Sequence, residues 1–152
     1  MSIKEQIQKD FVLAMKAKDE NAKSALSGVK AAITVAEKSN GNTELSDAEV
    51  IKVLTKAIKQ REESQKIYEE AGRDELARKE CDEAHVLHRY MPAKMSAQEI
   101  ANSLIEIMQS FSGVVTNPNA LQGKTIGEFN KRYSGRADIG TVKEMLSKLI
   151  EQ

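Results

Sequence analysis

A chain of 152 residues is long enough for one domain or two small subdomains. Its 23 basic residues balance 23 acidic ones, which excludes net charge as the force carrying it onto nucleic acid or an anionic membrane. Three Phe, three Tyr and no Trp leave a core of Ala, Leu, Ile, Val and Met, better suited to helix packing than to a β-sandwich.

The opening Met1-Ser2-Ile3-Lys4-Glu5-Gln6 is charged and amphipathic and lacks the apolar stretch of a secretory signal. Ser2-x-x-Glu5 forms a capping box, and Ile3, Ile7, Phe11, Ala14 and Met15 follow at helical spacing. Ala22, Ala25, Leu26, Val29, Ala32, Ile33 and Ala36 predict a second helix whose alanines allow close approach of a neighbour. The run Ser39-Asn40-Gly41-Asn42-Thr43 reads as a loop.

A second box, Ser46-x-x-Glu49, starts the longest helix, with Val50, Leu54, Ala57, Ile58, Arg61 and Tyr68 on one side and Gly72 as its stop. A fourth helix runs from about Asp74 to Pro92, with Leu76, Ala84, Leu87 and Met91 inward. Proline lacks a donor and restricts the residue before it, so Met91-Pro92 divides the chain into residues 1–92 and 93–152. Beyond it, Ser96-x-x-Glu99 caps a helix carrying Ile100, Leu104, Ile107, Met108 and Phe111.

Ser112 to Gly123, with two glycines, Pro118 and two asparagines, reads as the loosest region, and Val114-Val115-Thr116 is its one short strand candidate. Thr125-x-x-Glu128 then caps a short helix with Ile126, Phe129 and Tyr133 inward. Gly135 stops that helix and Asp138 starts the last, which buries Val142, Met145, Leu146 and Leu149. The pattern predicts an all-α, multihelical protein of two compact helical subdomains. No apolar run is long enough to span a bilayer. A soluble, cytoplasmic protein with no membrane partner is expected.

Gly123-Lys124-Thr125 has the ending of a phosphate-binding loop, but the position that needs the first glycine is Pro118, which has no amide to offer. Cys81, the lone cysteine, excludes an intramolecular disulfide framework. With His85 and His88 it falls at i, i+4 and i+7 on one helix face, spacing that zinc ligands use. A half-buried interhelical face with two amphipathic imidazoles explains it as well. Cys81 in mid-helix has neither a helix N-terminus to lower its pKa nor an oxyanion hole. No catalytic constellation and no cofactor follow from these residues.

From Lys124 to Lys148 six basic residues face three acidic ones. Arg132 precedes the Gly135–Asp138 joint and Arg136 lies within it, where cationic side chains and helix amides are able to meet a phosphate. Tyr133 among them offers a ring for stacking.

An ordered series of segments carries a further signal: Met15-Lys16-Ala17-Lys18-Asp19, Leu45-Ser46-Asp47-x-Glu49-Val50-Ile51, Ile58-Lys59-Gln60-Arg61-x-x-Ser64, Ala71-Gly72-Arg73-x-x-Leu76-Ala77, Tyr90-Met91-Pro92 and Gly135-Arg136-Ala137-Asp138. Over nearly its full length the chain resembles the GatB/YqeY family, whose tail module also occurs in the B subunit of the tRNA-dependent Asp/Glu amidotransferase. The resemblance implies an N-terminal helical bundle and a C-terminal helical module that holds tRNA or joins a tRNA-handling complex. The RNA-facing positions it implies are Arg136, Arg132, Lys131 and Lys124. Relatives often read Lys-x-Lys/Arg-Gly-Arg where this chain has Arg132-Tyr133-Ser134-Gly135-Arg136, so positive charge before the glycine is lower here. The family label also implies a carbon–nitrogen ligase with glutamine as amide donor. Three readings stay open: a non-catalytic tRNA-binding adaptor, an amidotransferase-like component, and a protein-interaction module without RNA.

Overall fold

A computed structural model describes residues 1–151, and the described residues form seven helices and no strand. The all-α reading holds. No helix among the described residues is long and apolar enough to cross a membrane. Packing divides the chain into two units, Met1–Met91 and Pro92–Gln152.

In the first unit, α1 (Ile3–Ala17) is opened by the reciprocal Ser2–Glu5 box. Lys18 then takes a positive φ of 56°, and Asp19 caps α2 (Glu20–Ser39) by accepting from Ala22 N at 3.1 Å. α3 (Asp47–Glu70) starts from the Ser46–Glu49 box. Gly72, at φ 73°, reverses the chain into α4 (Asp74–His88). Ile7, Leu26, Val29, Val50, Leu54 and Leu87 are buried together. Each fully buried aliphatic side chain contributes about 1.5–3 kcal/mol. Two polar ties complete the bundle. Lys4 Nζ sits 2.8 Å from Glu37, which also accepts from Leu45 N at 3.1 Å. The Tyr90 hydroxyl donates to Asp10 at 2.6 Å.

Three expected core positions face water. Met15 is 46% exposed because Ile7 and Ala14, seven residues apart, mark the centre of the buried stripe and Met15 lies about 100° round from Ala14. The same rotation replaces Leu76, 40% exposed, with Ala77, which shares a face with Ala84. Ala32 is exposed. α4 also ends at His88, before the restricted Met91-Pro92 pair.

In the second unit, α5 (Ala97–Ser110), α6 (Pro118–Arg132) and α7 (Ile139–Glu151) pack pairwise around Ile100, Leu104, Ile107, Phe129, Val142 and Leu146. The Phe129 and Tyr133 rings lie 5.1 Å apart. Ser96 caps α5 by accepting from Glu99 N.

The largest correction concerns α6. It begins at Pro118, seven residues before the expected Thr125 cap, so half of the supposed loose region is helix. Asn117 is the N-cap, accepting from Asn119 N at 2.9 Å, and Pro118 stands in the first turn where its missing amide is harmless. Thr125 is fully buried in mid-helix. Val114 and Val115 donate their amides to Phe111 O and close a turn rather than a strand.

Candidate nucleic-acid interface

The joint between α6 and α7 is built from backbone upward. Tyr133 N donates to Phe129 O at 2.8 Å as the last bond of α6. Gly135 then adopts φ 77°, a conformation that strains any residue with a Cβ. Asp138 opens α7, its Oδ2 accepting from Thr141 N at 3.1 Å and lying 3.3 Å from Thr141 Oγ1. A carboxylate therefore already occupies the amide-rich end of α7. At this joint a phosphate would compete with the chain's own anion for the Thr141 amide.

The arginines are engaged as well. Arg136 Nε donates to Ala93 O at 2.9 Å, its main-chain oxygen accepts from Met95 N at 2.8 Å, and its Nη2 lies 3.9 Å from Glu99. Side chain and backbone together clasp the segment that leads into α5. Arg132 Nε pairs with Glu128 at 2.9 Å one turn back on α6. That pair is solvent-exposed, worth about 0–1 kcal/mol, and so separates at little cost.

The four expected cations thus divide. Arg136 and Arg132 sit at the joint with partners, whereas Lys124 and Lys131 are exposed on α6 and form no ion pair among the described residues. Seven residues apart, the two lysines share a face about 10.5 Å apart along the axis. Gly123 and Gly127 lie on that same side, exposed, and a Cβ added to either meets nothing within 4 Å. Glycine in a helix interior costs about 1 kcal/mol relative to alanine. No packing within the described residues calls for it at either position. The helix backbone is therefore bare between two free ammonium groups, and a rigid, close-fitting partner is able to approach it. The sequence signal was the pair of glycines four apart beside lysines, hidden by reading Gly123 as loop.

Gly123-Lys124-Thr125 cannot cradle a phosphate, because it lies inside α6 with its amides in the helix and Thr125 in the core. The Cys81, His85 and His88 side chains do not converge. His85 Nδ1 lies 2.9 Å from Cys81 O and 3.6 Å from its Sγ, while His88 Nε2 is 3.5 Å from Glu62 on α3. Among the described residues no three His, Cys, Asp or Glu side chains are grouped to hold a metal ion. Both histidines are exposed rather than half-buried between helices.

Compared with known families, the chain matches the one described as Yqey-like protein over residues 4–150. None of the curated proteins matches it.

Proposed function

The chain belongs to the YqeY-like protein family, and from that premise we propose that it is a non-catalytic adaptor that holds RNA, tRNA foremost, through α6 of its second unit. The observation that carries the reading is the bare face of α6: Lys124 and Lys131 exposed and unpaired, with Gly123 and Gly127 beside them open to solvent. Lysines contact phosphate as flexible point charges, and two of them a fixed distance apart set a register along a sugar-phosphate backbone. Arg132 joins them once its exposed pair with Glu128 opens. Arg136 acts differently, holding the segment before α5.

The test is gel-shift titration of a tRNA against wild type and Lys124→Ala/Lys131→Ala across a salt series. Two phosphate contacts contribute a slope of about −1.4 to −1.8 in log K against log salt. Between 50 and 200 mM salt they account for about 7- to 12-fold of the affinity lost. The double variant is expected to bind more weakly at low salt and to show a slope shallower by that amount. An unchanged slope, or no tRNA binding at low salt, overturns the proposal.

A further inference from the structure

α2 and α3 are consecutive and pack together, and an open groove runs between them on the outside of the first unit. One stretch, of ≈ 400 Å³, lies between Ala32, Val35 and Ala36 of α2 and Val53 and Ala57 of α3. It shares Ala36 and Val53 with a second stretch of ≈ 360 Å³ that reaches Leu45. Aliphatic side chains form the centre of the groove, Ser39, Asn40 and Gln60 add polar groups to its lining, and Val35 is 64% exposed.

The charge lining this groove leans positive, two lysines against one glutamate. Lys52 and Lys56 line it, and neither forms an ion pair among the described residues. Arg61 stands one turn beyond Ala57, with Nη1 donating to Ala57 O at 3.1 Å. Its Nη2 lies 3.0 Å from the place a Cβ on Gly28 would take, so the guanidinium crosses α2 where that helix has no side chain. Its Nε is buried without an acceptor, and no carboxylate pairs with it among the described residues. A buried donor left unpartnered costs about 1–3 kcal/mol, more when charged. The one acid lining the groove, Glu49, is held by its own helix cap, accepting from Ser46 N and Oγ.

We infer that the α2–α3 groove is a docking site for an acidic amphipathic helix of a partner protein. A stripe of small apolar residues lies against Ala32, Val35 and Val53, and carboxylates on its flanks meet Lys52, Lys56 and Arg61. Small side chains on both walls let a third helix approach closely, and apolar anchors at i, i+3 and i+4 suit such a groove. Nucleic acid suits it less, because the aliphatic floor has no ring on which a base would stack. The site is on the first unit, is independent of the α6 lysines, and is tested separately from them.

The probe is a helix-stapled, fluorescein-labelled peptide of about 18 residues, long enough for a stable helix, with Ala and Leu on one face and Glu on its flanks. Its partners in the assay are the same peptide with Lys for Glu, and labelled oligouridine. Fluorescence anisotropy with the full chain is expected to show saturable binding of the acidic peptide alone. Arg61→Gln is expected to weaken it at least about tenfold. Ala32→Arg blocks the groove while adding positive charge, and because Ala32 is exposed the fold is retained, which a circular-dichroism melt checks. Equal binding of the lysine peptide overturns the proposal, as does tighter binding by Ala32→Arg. So does a lack of saturation by about 1 mM, the weak end of the affinity scale, or a preference for RNA that Ala32→Arg removes.

Discussion

Replacing Thr125 with valine is expected to stabilise the second unit. Thr125 is 0% exposed in the middle of α6, and its Oγ1 has no hydrogen-bond partner. The carbonyl one turn back, which a helical threonine often uses, is not taken. In the unfolded chain that hydroxyl is hydrated, so folding strips its water and returns nothing, at about 1–3 kcal/mol. Valine keeps the shape, the β-branch and nearly the same helix propensity. The expected gain for Thr125→Val is about 1–2 kcal/mol. Serine is the opposite control: it keeps the hydroxyl and deletes a methyl from a packed site, a loss of about 1 kcal/mol. Urea unfolding of the full chain followed at 222 nm reads both, as a shifted midpoint at constant m-value. Native-state hydrogen exchange at the α6 amides assigns the change to that helix. A loss of more than about 0.5 kcal/mol in Thr125→Val would show that the hydroxyl is hydrogen-bonded in solution, and would refute the reasoning.

On the outer side of the same helix, Gly123→Ala and Gly127→Ala are each expected to stabilise the chain by about 0.5–1 kcal/mol, since the new Cβ meets nothing within 4 Å. Both are expected to weaken tRNA retention in the gel shift, and a stabilised variant that binds as well as wild type separates the glycines from the interface. For Tyr90, burial first and then the hydrogen bond to Asp10 raise the phenol above its ordinary value of 10.0. The unfolded chain loses that proton first, so stability from Tyr90 is full below about pH 10 and declines as pH rises toward the folded value. Tyr90→Phe is expected to remove a late-ionising phenol from an alkaline absorbance titration and to flatten the alkaline loss of stability. Glu37 is held below its ordinary carboxylate value of 4.5 by hydrogen bonding from Lys4 and then from Leu45 N. Its contribution is present above 4.5 and is lost as pH falls through the depressed value. Glu37→Gln is expected to shrink the acid-side fall of the urea midpoint between about pH 6 and about pH 2, and an unchanged acid limb counts against the pair.

Much of this architecture is legible from short-range chemistry. The Ser2 and Ser46 boxes, the Gly72 reversal, and the helix start at Asp138 each depend on residues within one turn of each other, and each stands as read. The errors arise where two local signals compete. Thr125-x-x-Glu128 and Asn117-Pro118 both mark a helix start, and a threonine in the core leaves only the second to act. Leu76 loses to the smaller Ala77 because the position facing α3 and α2 is set by the helix phase, not by side-chain size. The engagement of Arg136 by Ala93 and Met95 spans forty-odd residues of chain, and no spacing rule reaches that far.

That long-range clasp decides how the cations of the second unit divide their roles. A charge serves a ligand only to the extent that it leaves its present partners without loss. Lys124 and Lys131 have no such partners among the described residues, and Arg132 gives up an exposed pair of about 0–1 kcal/mol. Arg136 would leave the Ala93 carbonyl unpaired and loosen the strand of chain into α5. Alanine at the two lysines is therefore expected to lower RNA retention with the urea midpoint unchanged. At Arg136 both readouts are expected to fall together, and Arg136→Lys, which keeps the charge but not the guanidinium Nε–H, is expected to repair neither. Full RNA retention by a destabilised Arg136→Lys would instead place the charge of residue 136 at the interface.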